Sequence, residues 1–247
     1  MQASYVIGYR AHARTTAFQR RHQQAIKTLD ALFTSSARPY VSWSGGKDSL
    51  ACLLLLAEMG RTDVCVFTQG DDLDWPDKET YCRRMAGELG FTDHRYEWSE
   101  TSALEQLAVG YDEVRDVRGT FSHVVERFVC DYRPDGVIMG LRAEESRGRR
   151  IGIRRWGEVY RRKDGLLRCL PVAHWTGQDV MAYVLSRGAE LFHVYHQDIG
   201  RPPHEIRMSW PLNPEFFDRG CVALLKRDHP EYYNRLSQHI PWLQNYV

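Results

Sequence analysis

Apolar positions in this 247-residue chain follow two rhythms. Between 12 and 33, Phe18, Ala25, Ile26, Leu29, Leu32 and Phe33 recur at helical spacing and predict an amphipathic helix. From Tyr40 onward, short apolar runs alternate with longer helical stretches. Tyr40-Val41-Ser42-Trp43, Val64 to Phe67, residues 94–98 and Val137 to Met139 predict four strands. Leu50 to Met59 is too continuously apolar for a surface helix, so a buried helix is expected over 49–59. Further helices are expected over 77–89, near 101–109 and over 120–131. Strands alternating with helices imply an α/β fold with a mainly parallel sheet covered on both faces. Trp156 to Tyr160, a turn at Lys163-Asp164-Gly165 and Leu166 to Leu170 predict a hairpin. A helix then starts at Trp175-Thr176-Gly177 and stops at Gly188. Beyond the prolines at 202, 203, 211 and 214, helices are expected near 215–226 and 230–238. Three parts follow: an N-terminal helical extension over 1–37, an α/β domain over 38–200 and a C-terminal helical extension over 201–247. The extensions could make a dimer interface or cap the sheet.

The first strand and the buried helix are joined by Ser44-Gly45-Gly46-Lys47-Asp48-Ser49. In open α/β sheets, ligands lie beyond the carboxyl ends of the strands. A small-residue turn entering a helix presents backbone N–H groups and the positive end of the helix dipole, which suits an anion, most often phosphate. The stretch is not a Walker loop, which needs G-x-x-x-x-G-K-[ST]. Here Lys47 follows Gly45-Gly46 directly and precedes Asp48. It resembles the PP-loop of the ATP pyrophosphatases. Gly45 and Gly46 would let the backbone approach phosphates, Ser44 and Ser49 would donate hydroxyl hydrogen bonds, and Lys47 would supply charge. Asp48 fits beside phosphate only if it orients the loop or faces Mg²⁺.

Composition narrows the classes. At 43% hydrophobic and 26% charged, the chain reads as globular. It has no apolar run of the ~18 residues a membrane span needs and no signal-peptide core, so a cytoplasmic location without membrane attachment is expected. Six scattered cysteines without a C-x-x-C pair argue against a zinc ribbon or a local iron–sulfur motif. The net charge of +1 conceals a polarity: from Arg142 to Arg168, ten Lys/Arg face only four acids. Such a segment suggests an anionic partner.

After the fourth strand comes Gly140-Leu141-Arg142-Ala143-Glu144-Glu145-Ser146-Arg147-Gly148-Arg149, which reads as a basic loop. Arg142 and Arg149 suit bidentate phosphate or sulfate contacts, and Ser146 can bond an oxyanion. Together with the loop at 44–49, the chain resembles the phosphoadenosine phosphosulfate reductase family of adenine-nucleotide α-hydrolase-like proteins. The matches run in order: the PP-loop; Glu79-Thr80; G-x-R-x-E-x-S-x-x-R on Gly140, Arg142, Glu144, Ser146 and Arg149; Leu170 to Thr176 with Asp179-Val180; and Leu191-Phe192-His193-Val194-Tyr195. They cover about 38–200.

The resemblance implies ATP as substrate and Mg²⁺ on its polyphosphate, held through Asp48, Asp71 or Asp72. Adenine would lie against the backbone of Val66 and Phe67, and the phosphates on 44–49. Gly140, Arg142, Glu144 and Ser146 would complete the nucleotide site, with Lys47, Asp48, Arg142 and Arg149 as the catalytic set. The departures matter equally. True sulfonucleotide reductases carry a C-terminal cysteine nucleophile, but this chain has no cysteine after Cys221, which itself reads as a helical core residue. The expected activity is therefore adenylylation of an oxyanion with release of pyrophosphate. The acceptor expected is DNA, in phosphorothioation-type chemistry supplied by sulfur-transfer proteins such as a cysteine desulfurase. The alternatives are sulfate adenylyltransferase-like chemistry, a sulfonucleotide reductase using Cys221 and a non-catalytic nucleotide-binding subunit. Tyr195, Trp210 and Trp156 are candidates for stacking on bases, and His193 for acid–base work.

Overall fold

The computed structural model describes all residues except 101, 103, 105–117, 199 and 209–220. Six strands form one sheet: β1 (Pro39–Ser42), β2 (Cys65–Gly70), β3 (His94–Trp98), β4 (Gly136–Met139), β5 (Val159–Arg161) and β6 (Leu167–Cys169). Their spatial order is β3-β2-β1-β4-β6-β5. β1 pairs in parallel with β2 and β4, and β4 with β6; only the β5–β6 hairpin is antiparallel. The strand order reverses between β1 and β4, the switch point at which such sheets bind ligands.

Among the described residues the helices are α1 (Ala3–His12), α2 (Thr16–Ser35), α3 (Lys47–Glu58), α4 (Lys78–Glu88), α5 (Arg118–Tyr132), α6 (Arg147–Trp156), α7 (Gly177–Ser186), α8 (Cys221–Asp228) and α9 (Pro230–His239). The strand and helix expectations hold through most of the chain. The stretch near 101–109 and the start of the one near 215 lie outside the described residues.

Two expectations need correction. The helix expected over 12–33 is α2 and starts later, because Thr15 leaves helical geometry and caps it, its hydroxyl accepting from Phe18 N at 3.3 Å; α1 is a separate helix ahead of it. The basic stretch after Met139 is mostly helix rather than loop. Ser146 caps α6 by accepting from Arg149 N at 3.1 Å, and Trp156 ends that helix instead of opening the hairpin.

The chain divides into two compact units. The first holds Met1–Thr68, Tyr81–Arg95 and Tyr132–Met208. Its centre is α3, where Leu50, Leu53, Leu55 and Leu56 are fully buried beside Val41 and Ile138. The N-terminal helices belong to this unit, with α1 lying against α7. Asp179, in the first turn of α7, is fully buried and joins them: its Oδ1 accepts from His12 and Arg21, each at 2.7 Å. Burial alone would raise its carboxyl, but Arg21, His12 and Thr176 outweigh burial and hold it below the ordinary carboxylate value.

The second unit comprises Gln69–Thr80, Tyr96–Asp131 and Ser209–Val247. Within it, Trp75 packs on Tyr232 with ring centroids 4.7 Å apart. Tyr232 Oη donates to Leu73 O, and Arg235 donates to Asp74 O. No helix among the described residues is long and apolar enough to cross a membrane.

Candidate active site at the turn into α3

The loop at 44–49 is knitted by its own hydroxyls. Gly46 N donates to Ser44 Oγ at 3.3 Å, the Ser44 and Ser49 hydroxyls lie 3.2 Å apart, and Ser49 Oγ donates to Gly46 O at 3.1 Å. Gly45 has a φ of +79°, a conformation that favours glycine and lets the chain turn from strand to helix. Ser44 stays exposed at the top of the loop. The first-turn amides of α3 have no partner within the helix, so this end is built to receive an acceptor.

Lys47 is almost wholly buried, at 2% exposure. Its ammonium donates to Ile206 O at 2.9 Å and to Asp48 Oδ2 at 3.2 Å, and lies 5.4 Å from the centre of the Tyr195 ring. Its backbone N–H donates to Tyr195 Oη at 3.0 Å. Burial lowers the Lys47 pKa; Asp48 works against this and Arg142 reinforces it.

Arg142, 5% exposed, reaches the same carboxylate from the turn after β4: its Nε donates to Asp48 Oδ1 at 2.6 Å. Burial would raise Asp48, but Lys47 and Arg142 overcome it and hold the carboxyl below its usual value. Asp48 thus spends one oxygen on each cation. This geometry supports its orienting role over metal ligation.

Gly140 makes the convergence possible. A Cβ there would meet the Asp48 carbonyl carbon and Ser49 N at 2.6 Å. Both are backbone atoms and cannot swing aside. Gly140→Ala is therefore expected to separate the two loops, lowering stability by about 1–3 kcal/mol and weakening nucleotide binding. Denaturant titration and nucleotide titration of the variant check this.

The remaining residues of the second motif act around Arg142. Glu144 accepts from an Arg142 guanidinium nitrogen and from Gly177 N at 2.7 Å, tying the turn to the start of α7. Glu145 accepts from Arg142 N at 2.9 Å and pairs with Arg149. Glu144 therefore positions a cation, and Arg149 is neutralised by a neighbouring carboxylate.

Other candidates fall elsewhere. The N–H of Val66 donates to Asp93 O and the carbonyl of Phe67 accepts from Trp43 N, both at 2.8 Å. These two backbone groups are engaged within the fold. Asp71 and Asp72 lie in the second unit. Asp71 accepts from Leu73 N at 2.9 Å, and Asp72 accepts from Ser102 Oγ and from Leu104 N. Burial, aided by Asp74 and opposed by Lys78, raises Asp71 to about 6. Among the described residues no group of three His, Cys, Asp or Glu could hold a metal ion.

Tyr195 is buried, which removes it from base stacking. Trp210 lies outside the described residues, and Trp156 is exposed. His193 packs on Phe192 with centroids 4.2 Å apart. Burial pushes the Cys52 and Cys169 thiols far up and Cys65 to about 12, so none of the three is an activated nucleophile. The sequence reading missed Tyr195 Oη and Ile206 O as the groups that hold Lys47. The match at Leu191 to Tyr195 marked the segment without giving its purpose.

Three solved structures share the fold. A phosphoadenylyl-sulfate reductase from Candida auris in a phosphate complex matches with a TM-score of 0.56 at 13% identity, over 72% of this chain and 89% of its own. A U34-tRNA thiolase from Methanococcus maripaludis matches with a TM-score of 0.56 at 12% identity, over 94% and 82%. Yeast FAD synthetase matches with a TM-score of 0.50 at 14% identity, over 78% and 68%. Comparison with curated protein sequences returns no match. The family model described as the phosphoadenosine phosphosulfate reductase domain matches residues 38–226, a span that includes both site loops and the Tyr195–Ile206 segment. With most of its length matched, the chain belongs to the phosphoadenosine phosphosulfate reductase domain family.

Proposed function

We propose that this chain is an ATP pyrophosphatase that adenylylates an oxyanion, with a nucleic-acid phosphodiester, DNA in particular, as acceptor in sulfur-modification chemistry. The observation that carries the reading is the Lys47–Asp48–Arg142 cluster at the N-terminus of α3. Two buried cations share one carboxylate there, held at the N-terminal end of a helix dipole. ATP phosphates would lie on 44–49, with the exposed Ser44 donating to them. Lys47 and Arg142 would stabilise the negative charge that grows on the phosphoryl oxygens. Asp48 holds both cations in place, so little reorganisation accompanies the reaction. The acceptor oxygen forms a bond to the α-phosphorus as the bond to the pyrophosphate oxygen breaks, and the chain itself forms no covalent intermediate.

Mg²⁺, when bound, would neutralise the polyphosphate, held mainly by phosphate oxygens since Asp48 is already engaged. The shared fold with a tRNA thiolase accords with sulfur chemistry on nucleic acid. A sulfur-transfer partner such as a cysteine desulfurase would then supply the sulfur that displaces AMP. The test is incubation with adenine-labelled ATP, Mg²⁺ and either DNA or sulfate. Label on DNA supports the proposal. Label only on sulfate moves the acceptor to sulfate, and label on neither, with ATP still bound, makes the chain a binding subunit.

A further inference from the structure

We propose that the outer face of α6 is a docking surface for the phosphodiester backbone of a nucleic acid. This rests on the reading of the acceptor given above and assigns it a place on the chain. Helix α6 is anchored from one side: Ile153 is buried with Leu170 and Ala173, and Met139, Leu141 and Tyr160 pack around them. The opposite side carries Arg147, Arg150, Ile151, Arg154 and Arg155, all exposed. At 3.6 residues per turn these five positions fall within an arc of roughly 140°.

Helix stability does not explain this arrangement. The first turn holds Arg147, Arg149 and Arg150 with no acid, against the helix dipole. Arg150 and Arg154 stand four apart and repel. Glu145 neutralises Arg149, whereas Arg147, Arg150 and Arg154 make no ion pair among the described residues. Arg154 and Arg155 suit the dipole at the last turn, but the arginines of the first turn oppose it, and an external anion would offset them.

The layout fits a polymer. Arg147 to Arg154 spans about 10 Å at 1.5 Å per residue, roughly three steps of a strand at 3.4 Å each. The row ends at Trp156, which is 54% exposed and carries the Arg155 guanidinium 4.8 Å from its ring. An exposed ring backed by a cation is a stacking platform for a base. A lipid surface fits less well. A membrane-lying helix inserts a broad apolar face, but here the apolar side is buried in the fold and Ile151 stands alone among arginines. The row also begins next to the site: Ser146 caps α6, and Arg142 just upstream holds Asp48.

The test is equilibrium binding of the full chain, without ATP, to labelled single-stranded and duplex DNA and RNA, from about 50 to 200 mM salt. The expected result is binding that weakens steeply with salt. Arg150→Gln with Arg154→Gln should reduce the log–log salt slope by about two and weaken binding about tenfold or more, whatever the base sequence. Trp156→Ala should weaken the single-stranded complexes more than the duplex ones. The DNA and RNA arms identify which polymer is preferred. No binding at low salt, or an unchanged slope in the double variant, overturns the proposal. So does binding to anionic vesicles, with none to nucleic acid, that the double variant abolishes. Unchanged ATP binding in the variants shows that they fold. Nucleic-acid binding without pyrophosphate release would sink the proposed activity and leave this surface standing; release without nucleic-acid binding would do the reverse.

Discussion

Lys47→Met is expected to lower pyrophosphate release from ATP by about 10²–10³-fold, the usual loss when one preorganised donor is removed from a developing anion. Methionine keeps most of the side-chain volume and avoids a cavity at a residue only 2% exposed. Because Lys47 is buried, some loss of stability must accompany the loss of activity. The Ile206 carbonyl loses its donor, a deficit of about 1–3 kcal/mol. Asp48 keeps Arg142 and is not stranded. The variant should therefore unfold at moderately lower denaturant while its turnover collapses. Steady-state pyrophosphate release and urea unfolding, measured side by side, check both. A turnover loss no larger than the stability loss explains would remove Lys47 from the chemistry.

Arg142→Ala should be the more damaging to the fold. It removes the guanidinium that links the turn after β4 to Asp48 and that Glu144 also holds, while Glu145 keeps the Arg142 backbone N–H and Arg149. Breaking a buried pair from one side costs about 3–5 kcal/mol. The loss should depend on pH in a stated direction. Asp48 is held below its ordinary carboxyl value near 3.8. Its contribution is fully present above that value and is lost as pH falls through the lower, folded-state value. The stability gap between wild type and variant should be widest at neutral pH and narrow as pH drops below about 4. Urea unfolding across that range measures it, and a gap independent of pH would show that Arg142 acts through packing alone.

The sheet was legible because its signals are local. The apolar run after Lys47 allows only a buried helix, and a glycine pair between strand and helix marks the ligand end of such a sheet. Thr176 and Asp179 write a capping box that the structure reproduces. The basic segment was misread because Gly148 and Gly152 interrupt it and only Ile153 faces the core, leaving almost no apolar periodicity. Ser146, a good N-cap ahead of it, was the available clue. The partners of Lys47 were not legible. Tyr195 and Ile206 lie 148 and 159 residues away, and no local pattern announces that a tyrosine hydroxyl will meet a loop amide.

The central claim is that the α–β bond of ATP breaks at this loop. The most direct measurement is product identity: incubate the chain with Mg²⁺ and ATP carrying distinct labels on the α and γ phosphates, with and without DNA. The account predicts the γ label in pyrophosphate and the α label in adenylylated acceptor or AMP, with both lost in Lys47→Met. Release of the γ label as inorganic phosphate, with the α label left in ADP, would contradict it.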